Sequence, residues 1–478
     1  MSLPAFFVPV HPLSVLSGFR KDFYGCLSRR GDELFELVDA LLCTDGPVRT
    51  LVDLSLAPEH RRGHGALYDG INHGRLDVSR LRRSLASLPL PRDSEGRLRF
   101  AVDVSNWLRP DAPCCPERLF CHCYGRGRGN AQMIPGWPYS VIAALESGPT
   151  SWTAPLDILR LTPTDDVTTV TATQLRELCS RLTETGQWSQ GDPKIVVVLD
   201  AGYDVVRLSF LLADLPIELV GRLRSDRVLY FPPPPRARGR NGRPPRYGAV
   251  FKFADDTTWP APNRATAEHT DRYGEAVALA WNPLHPALTH RAGWEDHDGE
   301  LPIVEGTVIR LEVDHLPGER TPKPLWLWSS ATTATADDIA RWWHTFLRRF
   351  DLEHTFRMFK QTLGWTVPQL RDPRAADRWS WAVIVAYTQL RLARDLTDDL
   401  RRPWERPAPP GRLTPARVRR GFRHLHHKLP RPAAAPKPGK PGPGRPPGSK
   451  NRRPAPHHPV GKPSKTDTRR NAEKKHAP

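Results

Sequence analysis

The sequence predicts an α/β protein that carries a mainly β insertion between helical ends, and three observations predict it. Between residues 97 and 223 short β-branched runs alternate with amphipathic helical stretches, the pattern of parallel strands joined by helices. At 231–246 the segment FPPPPRARGRNGRPPR breaks that pattern, because Pro cannot donate to a sheet ladder and Gly weakens one. Helical spacing governs the chain before residue 95 and returns after 335. With 478 residues and 15 Trp, two or three domains with a substantial core are expected.

Taken in order, residues 1–95 read as a helical domain. RKDFYGCLSRRGDELFELVDALLC places Leu27, Leu34, Leu37, Val38 and Leu41 at helical spacings, and DVSRLRRSLASL offers a second, basic helix. Residues 96–215 form the first part of the α/β core: RLRFAVDVS and TSWTAPLDILRLTP as strands, TATQLRELCSRLTET as a helix, KIVVVLD as a buried strand, then helical DVVRLSFLLADL. IELVGRL follows as a strand. Residues 216–335 are assigned to the β-rich insertion, with YGAVFKF, GTVIRLEV and PLWLW as short strands. Residues 336–400 return to helix in DDIARWWHTFLRRFDLEHTFRMFKQTL and ADRWSWAVIVAYTQLRLARDL.

Residues 401–478 are a basic, Pro/Gly-rich tail. They hold 22 Lys and Arg against 3 Asp and Glu, while the whole chain carries +18; the body before them is near neutral. From about Pro430 to Pro478 so little apolar surface leaves nothing to offset the entropy of ordering, and disorder is expected there. Concentrated positive charge points to nucleic acid. Seven Cys without framework spacing indicate a reducing interior. The N-terminus does not read as a signal peptide, and no apolar run reaches membrane-spanning length. A cytoplasmic protein is expected.

Two carboxylates close apolar runs, Asp103 in AVDVS and Asp200 in VVVLD. Strand ends of α/β sheets are where sites are built, and Gly202 would let the backbone turn sharply out of the sheet. Two neighbouring carboxylates repel, and a hard cation such as Mg2+ relieves the repulsion. A third carboxylate, Glu353, sits in FLRRFDLEHTFRMFK. On one continuous helix Arg349 and Lys360 fall within about 40° of Glu353. One carboxylate flanked by two cations suits a metal beside a phosphodiester.

Here the sequence resembles the DDE transposases of bacterial insertion sequences, in the group marked by a Tyr-x2-Arg-x3-Glu-x6-Lys signature. Arg349, Glu353 and Lys360 match its last three positions, Asp200-Ala201-Gly202-Tyr203 looks like the second-Asp motif, and Asp103 falls where the first Asp belongs. Phe346 stands at the signature Tyr, so a hydroxyl contact to phosphate is missing. The resemblance implies a ribonuclease-H-like core interrupted by the insertion. It also implies Asp103, Asp200 and Glu353 as catalytic residues and ligands of two Mg2+ ions, with Mn2+ able to substitute. Arg349 and Lys360 would bind DNA. The implied activity is cleavage and strand transfer at transposon ends, by a homodimer associated with the nucleoid. Two alternatives stay open: a catalytically inactive DNA-binding derivative, or another ribonuclease-H-like nuclease.

Other signals are weaker. CCPERLFCHC lacks zinc-finger spacing and reads as reduced core thiols, and YGRGRGN reads as a hairpin turn. The Trp cluster reads chiefly as core, with Trp326 or Trp328 as a minor candidate for holding a flipped base. In the tail, Gly444-Arg445-Pro446 with Lys450 resembles an AT-hook, whose cations lie along a narrow minor groove.

Overall fold

The computed structural model describes residues 11–124, 131–148, 150–235, 242–295, 297–315, 322–409, 411–437 and 454–461. Arg445 and Lys450, and with them the AT-hook-like core, lie outside the described residues.

The N-terminal part is helical, as expected: α1 (Pro12–Gly25), α2 (Gly31–Cys43), α3 (Leu51–Ser55), α4 (His64–His73) and α5 (Val78–Ser87), with the two-stranded pair β1 (Leu27–Arg29) and β2 (Arg75–Leu76). Helix α2 is buried on every side from Leu34 to Cys43. Its two interior acids therefore need partners. Asp39 is held by Arg20 at 2.7 and 3.0 Å, and Glu36 by Arg61 at 2.7 Å.

Next come the central strands: β3 (Arg99–Leu108), β4 (Leu119–Tyr124), β5 (Ala131–Leu145) and β6 (Thr153–Arg160). They are followed by α6 (Val167–Glu184), β7 (Ile195–Leu199), α7 (Val205–Leu211) and β8 (Ile217–Leu223). Strands β3, β7 and β8 run parallel, while β5 is antiparallel to β3 and to β6. The resulting order β6-β5-β3-β7-β8 is consistent with a ribonuclease-H-like core. The sequence reading had not marked β4 or β5. Strand β5 holds Pro135 and Pro138, which break the β-branched pattern. They sit where its outer partner changes from β4, last paired at Gly136, to β6, first paired at Tyr139. Proline is tolerated where ladder bonds lapse.

The insertion supplies β9 (Val228–Tyr230), β10 (Val250–Lys252), β11 (Arg264–Thr270), β12 (Gly274–Leu284), β13 (Gly306–Val313) and β14 (Leu325–Ser329). Strands β11 to β14 form an antiparallel meander, and β14 pairs with β8, Trp328 opposite Gly221. The insertion thus extends the central sheet to ten strands. The cut drawn at residue 216 precedes β8, a strand paired in parallel with β7. Trp326 and Trp328 are core side chains, 3% and 0% exposed. Trp326 stacks on Phe253 with ring centres 4.1 Å apart, so neither indole is presented to a base.

The C-terminal elements are α8 (Ala336–Arg348), α9 (Phe350–Arg357), a π-helical turn (Met358–Thr362), α10 (Pro373–Leu392) and α11 (Pro415–His426). Helix α10 is the central post of the helical side, buried from Trp379 to Leu390. At about 1.5–3 kcal/mol for each large apolar side chain removed from water, it is a principal source of stability. Helix α11 lies within the segment assigned to the basic tail, ahead of the stretch expected to be disordered. Val418, Phe422 and Leu425 make one apolar stripe, which α11 buries against α2 and α10. The stripe was overlooked because the many Arg and His residues around it dominate the composition. Residues 454–461 also pack, with His458 N–H donating to Pro113 O and Gly461 N–H to Arg118 O.

Candidate active site

Asp103 lies inside β3, which continues to Leu108 rather than ending at the acid. What ends there is the parallel ladder, since the last β3–β7 pair is Val102 with Leu199. Asp200 follows β7 directly. Both acids therefore leave neighbouring strands at the same level. Gly202 keeps a φ outside the left-handed region and has open space where a Cβ would sit. Its conformational freedom is not called upon, contrary to the expectation from the sequence.

Glu353 comes from α9, whose Leu352 and Phe356 bury toward the sheet, as Phe359 buries on the turn that follows. The register of α9 is fixed by Thr355, whose hydroxyl lies 2.8 Å from that of Thr153 on β6 and 3.3 Å from that of Tyr387 on α10. The single helix assumed from the sequence is broken twice. At Arg349 the turn tightens, with Arg349 N–H donating to Phe346 O and Leu352 N–H to Arg349 O. From Met358 it loosens into the π-turn, where Leu363 N–H reaches back to Met358 O. Such turns often mark functional positions in helices.

The three acids meet at Arg349. Its guanidinium lies 3.1 Å from Asp103 Oδ2, 3.6 Å from Asp200 Oδ2 and 3.4 Å from Glu353 Oε1. Arg349 is 5% exposed, whereas Asp200 and Glu353 are 37% and 50% exposed, so the acids open toward solvent and the cation lies behind them. Phe346 and Phe350 pack over the guanidinium at 5.8 and 5.1 Å. The cation assigned to DNA from the sequence is thus engaged by carboxylates, and Phe346, at the signature Tyr, is one wall of its slot. Lys360, on the π-turn, has its ammonium 5.8 Å from the Trp365 ring centre. Burial lowers its pKa, and the nearby Cys123, Cys121 and Asp103 act in the opposite sense.

Burial raises the Asp103 carboxyl to about 6, with Arg349 and the Val104 N–H pulling it down and Asp200 and Glu353 pushing it up. Asp200 Oδ1 is buried and has no hydrogen-bond partner among the described residues. An orphaned carboxylate oxygen beside two further carboxylates is the donor set of a hard divalent cation, so these residues fit one. Tyr203, buried beneath the acids, was quoted from the sequence only as part of a motif. Burial raises its hydroxyl, and the charge of Asp103 raises it further. All seven cysteines are free thiols, with Cys115 and Cys121 buried. Among the described residues no helix is long and apolar enough to cross a membrane.

A family model described as DDE superfamily endonuclease matches residues 22–286, more than half of the chain. The match takes in Asp103 and Asp200 and stops short of Glu353. A search among curated proteins finds no match. The chain belongs to the DDE superfamily of endonucleases, enzymes that act on DNA with divalent metal ions.

Proposed function

We propose that the protein is a transposase of the insertion-sequence type, binding the ends of its element, cutting them and joining them to target DNA. Asp103, Asp200 and Glu353 are its catalytic residues and hold two Mg2+ ions, for which Mn2+ can substitute. The observation that carries this reading is that the three carboxylates, from two strands and a helix, lie around one guanidinium. Asp103, Asp200 and Glu353 would hold the ions, and these would supply activation of a water or 3′ hydroxyl and charge stabilisation for the leaving oxygen.

The chain's own residues have separate tasks. Arg349 is a positioning residue: its fork holds three like charges within reach of one another, which they would otherwise resist. Lys360 holds its ammonium over Trp365, within the field of Asp103, and meets a phosphate oxygen of the DNA strand. The open side of the acids admits the duplex. The basic segment from 438 onward, including Arg445 and Lys450, adds affinity for the backbone and for narrow minor grooves. Two copies work on paired ends.

The test is cleavage and strand transfer on DNA carrying the element's own ends, with Mg2+ or Mn2+ supplied. Asp103→Asn, Asp200→Asn and Glu353→Gln should each reduce both reactions by at least about 10³-fold (about 4 kcal/mol) while leaving DNA binding within a few-fold. Cleavage by Glu353→Gln at an ordinary rate would sink the assignment of α9. Cleavage without strand transfer by the wild type would leave a nuclease and remove the transposase reading.

A further inference from the structure

On the far side of α10 from the sheet a second cluster of ligand chemistry is buried. The Cys43 thiol, a carboxylate oxygen of Glu59 and a ring nitrogen of His426 all lie within 4.8 Å of one another. They come from three distant parts of the chain. Cys43 is the last residue of α2, Glu59 follows α3, and His426 is the last residue of α11. Two helix C-termini therefore converge here, and the carbonyl ends of helices attract positive charge.

Glu59 adds an independent observation. Its side chain is 7% exposed, and one oxygen lies 3.3 Å from Arg423 Nε. The other, Oε2, is buried without a hydrogen-bond partner among the described residues. An ionised oxygen left so in the interior is costly unless something binds it.

The imidazole is also prepared. His426 faces Asp39 Oδ2 at 3.0 Å through Nε2 and Arg431 Nη2 at 2.9 Å through Nδ1. An arginine can only donate, so Nδ1 carries the lone pair and Nε2 the proton. The ring is then neutral; a cation would take the Nδ1 lone pair in place of the exposed Arg431, with the Asp39 carboxylate behind the ring, the arrangement that commonly supports a metal-bound histidine.

We propose that Cys43, Glu59 and His426 form a structural site for a zinc-type divalent cation. The set of one sulfur, one nitrogen and one oxygen donor matches the borderline-soft Zn2+ and not Mg2+. Binding replaces the Cys43 S–H bond by a sulfur–metal bond and releases one proton to solvent. Binding adds one positive charge, the dication less the released proton; Arg423, which then shares Glu59 with the metal, keeps Asp45 at 3.6 Å as a second partner. Contraction to bonding distances of about 2.0–2.3 Å asks for side-chain shifts on the order of an ångström. The ion pins α11 to α2, and so ties the start of the basic tail to the N-terminal helices.

The test uses the full chain, purified without chelator, stripped, and titrated with Zn2+, Co2+ or Mg2+. The expected result is about one tightly held zinc per chain, a rise in Tm with Zn2+ beyond the one Mg2+ gives at the catalytic acids, and a thiolate-to-cobalt charge-transfer band with Co2+. Asp103→Asn should keep all three responses, which separates this site from the catalytic acids. Cys43→Ala should lose the cobalt band, and the isosteric Glu59→Gln should lose the zinc-dependent rise in Tm while folding normally. Absence of a Zn2+ response in the wild type would overturn the proposal. So would a response that survives in both Cys43→Ala and Glu59→Gln.

Discussion

Burial lifts the Asp103 carboxyl to about 6, and Arg349 pulls it only part of the way back. The folded chain therefore holds this proton more tightly than an unfolded chain, whose Asp titrates near 3.8. The sign follows directly. The stability contributed by protonated Asp103 is present at low pH and is lost as pH rises through about 6, whereas cation binding needs the ionised form. Cleavage at limiting Mg2+ should fall about tenfold per unit below pH 6, and more Mg2+ should move the midpoint down. A pH–rate profile flat from about pH 5 to 7 would remove Asp103 from this role. Arg349 carries the complementary prediction. Arg349→Met leaves three acids facing one another, and urea denaturation should show a loss of about 1–3 kcal/mol, less than for a fully buried pair because the acids face water. Added Mg2+ should recover part of that stability, because it neutralises the same carboxylates. A loss indifferent to Mg2+ would mean that Arg349 acts through packing alone.

At the scale of elements, α9 and its π-turn decide how the third acid and Lys360 are aimed. Lys360→Met should weaken DNA binding and lower the slope of log affinity against log salt by about 1. Thermal stability should hardly change, since Met keeps the length of the side chain and loses only the ammonium beside Trp365. An unchanged slope would mean that Lys360 does not meet phosphate. Much of this was legible beforehand: β3, β7 and β8 announce themselves by β-branched runs, and the spacing of Arg349, Glu353 and Lys360 singles out the segment that brings Glu353 to Asp103 and Asp200. The two breaks in that helix were not legible, because a π-turn and an α-turn share the same composition and differ only in which carbonyl each N–H reaches. Nor was Arg349 as the hub of the site, since a helical wheel shows a shared face and not what lies across from it. Strand β11 was also missed. Its sequence RATAEHT is largely exposed along an outer edge, and polar edges carry no alternation to read.

For the molecule as a whole, the boundary between folded body and basic tail lies further along than composition suggests. A chain ending at residue 437 keeps α11 and should lose little Tm, while its salt slope flattens and any preference for A/T-rich duplex shrinks. A chain ending at residue 411 strips Val418, Phe422 and Leu425 from α2 and α10. It should be destabilised by about 4–8 kcal/mol, two to three large apolar side chains' worth. Equal stability of the two truncations would show that α11 does not belong to the core. Acid should act on the same joint. Burial alone would raise the Asp39 carboxyl, but His426 and Arg20 more than reverse that and hold it low. Its stabilisation is thus present above the unfolded value near 3.8 and is lost as pH falls below it.

The Arg20 fork reaches Asp39, Gln389 on α10 and the carbonyl of Pro430. It therefore clasps the first helix to the segment that follows α11. Consider the order in which these parts leave a ribosome. Arg20 emerges early, yet two of its partners arrive only after some 370 and 410 further residues. Asp103 and Asp200 likewise emerge long before Glu353. A nascent or prematurely terminated chain carries two of the acids without the third, and an N-terminal cation without its full set of acceptors. Under the proposed function, the catalytic set stays incomplete until Glu353 has been made, and the Arg20 clasp until Pro430 has.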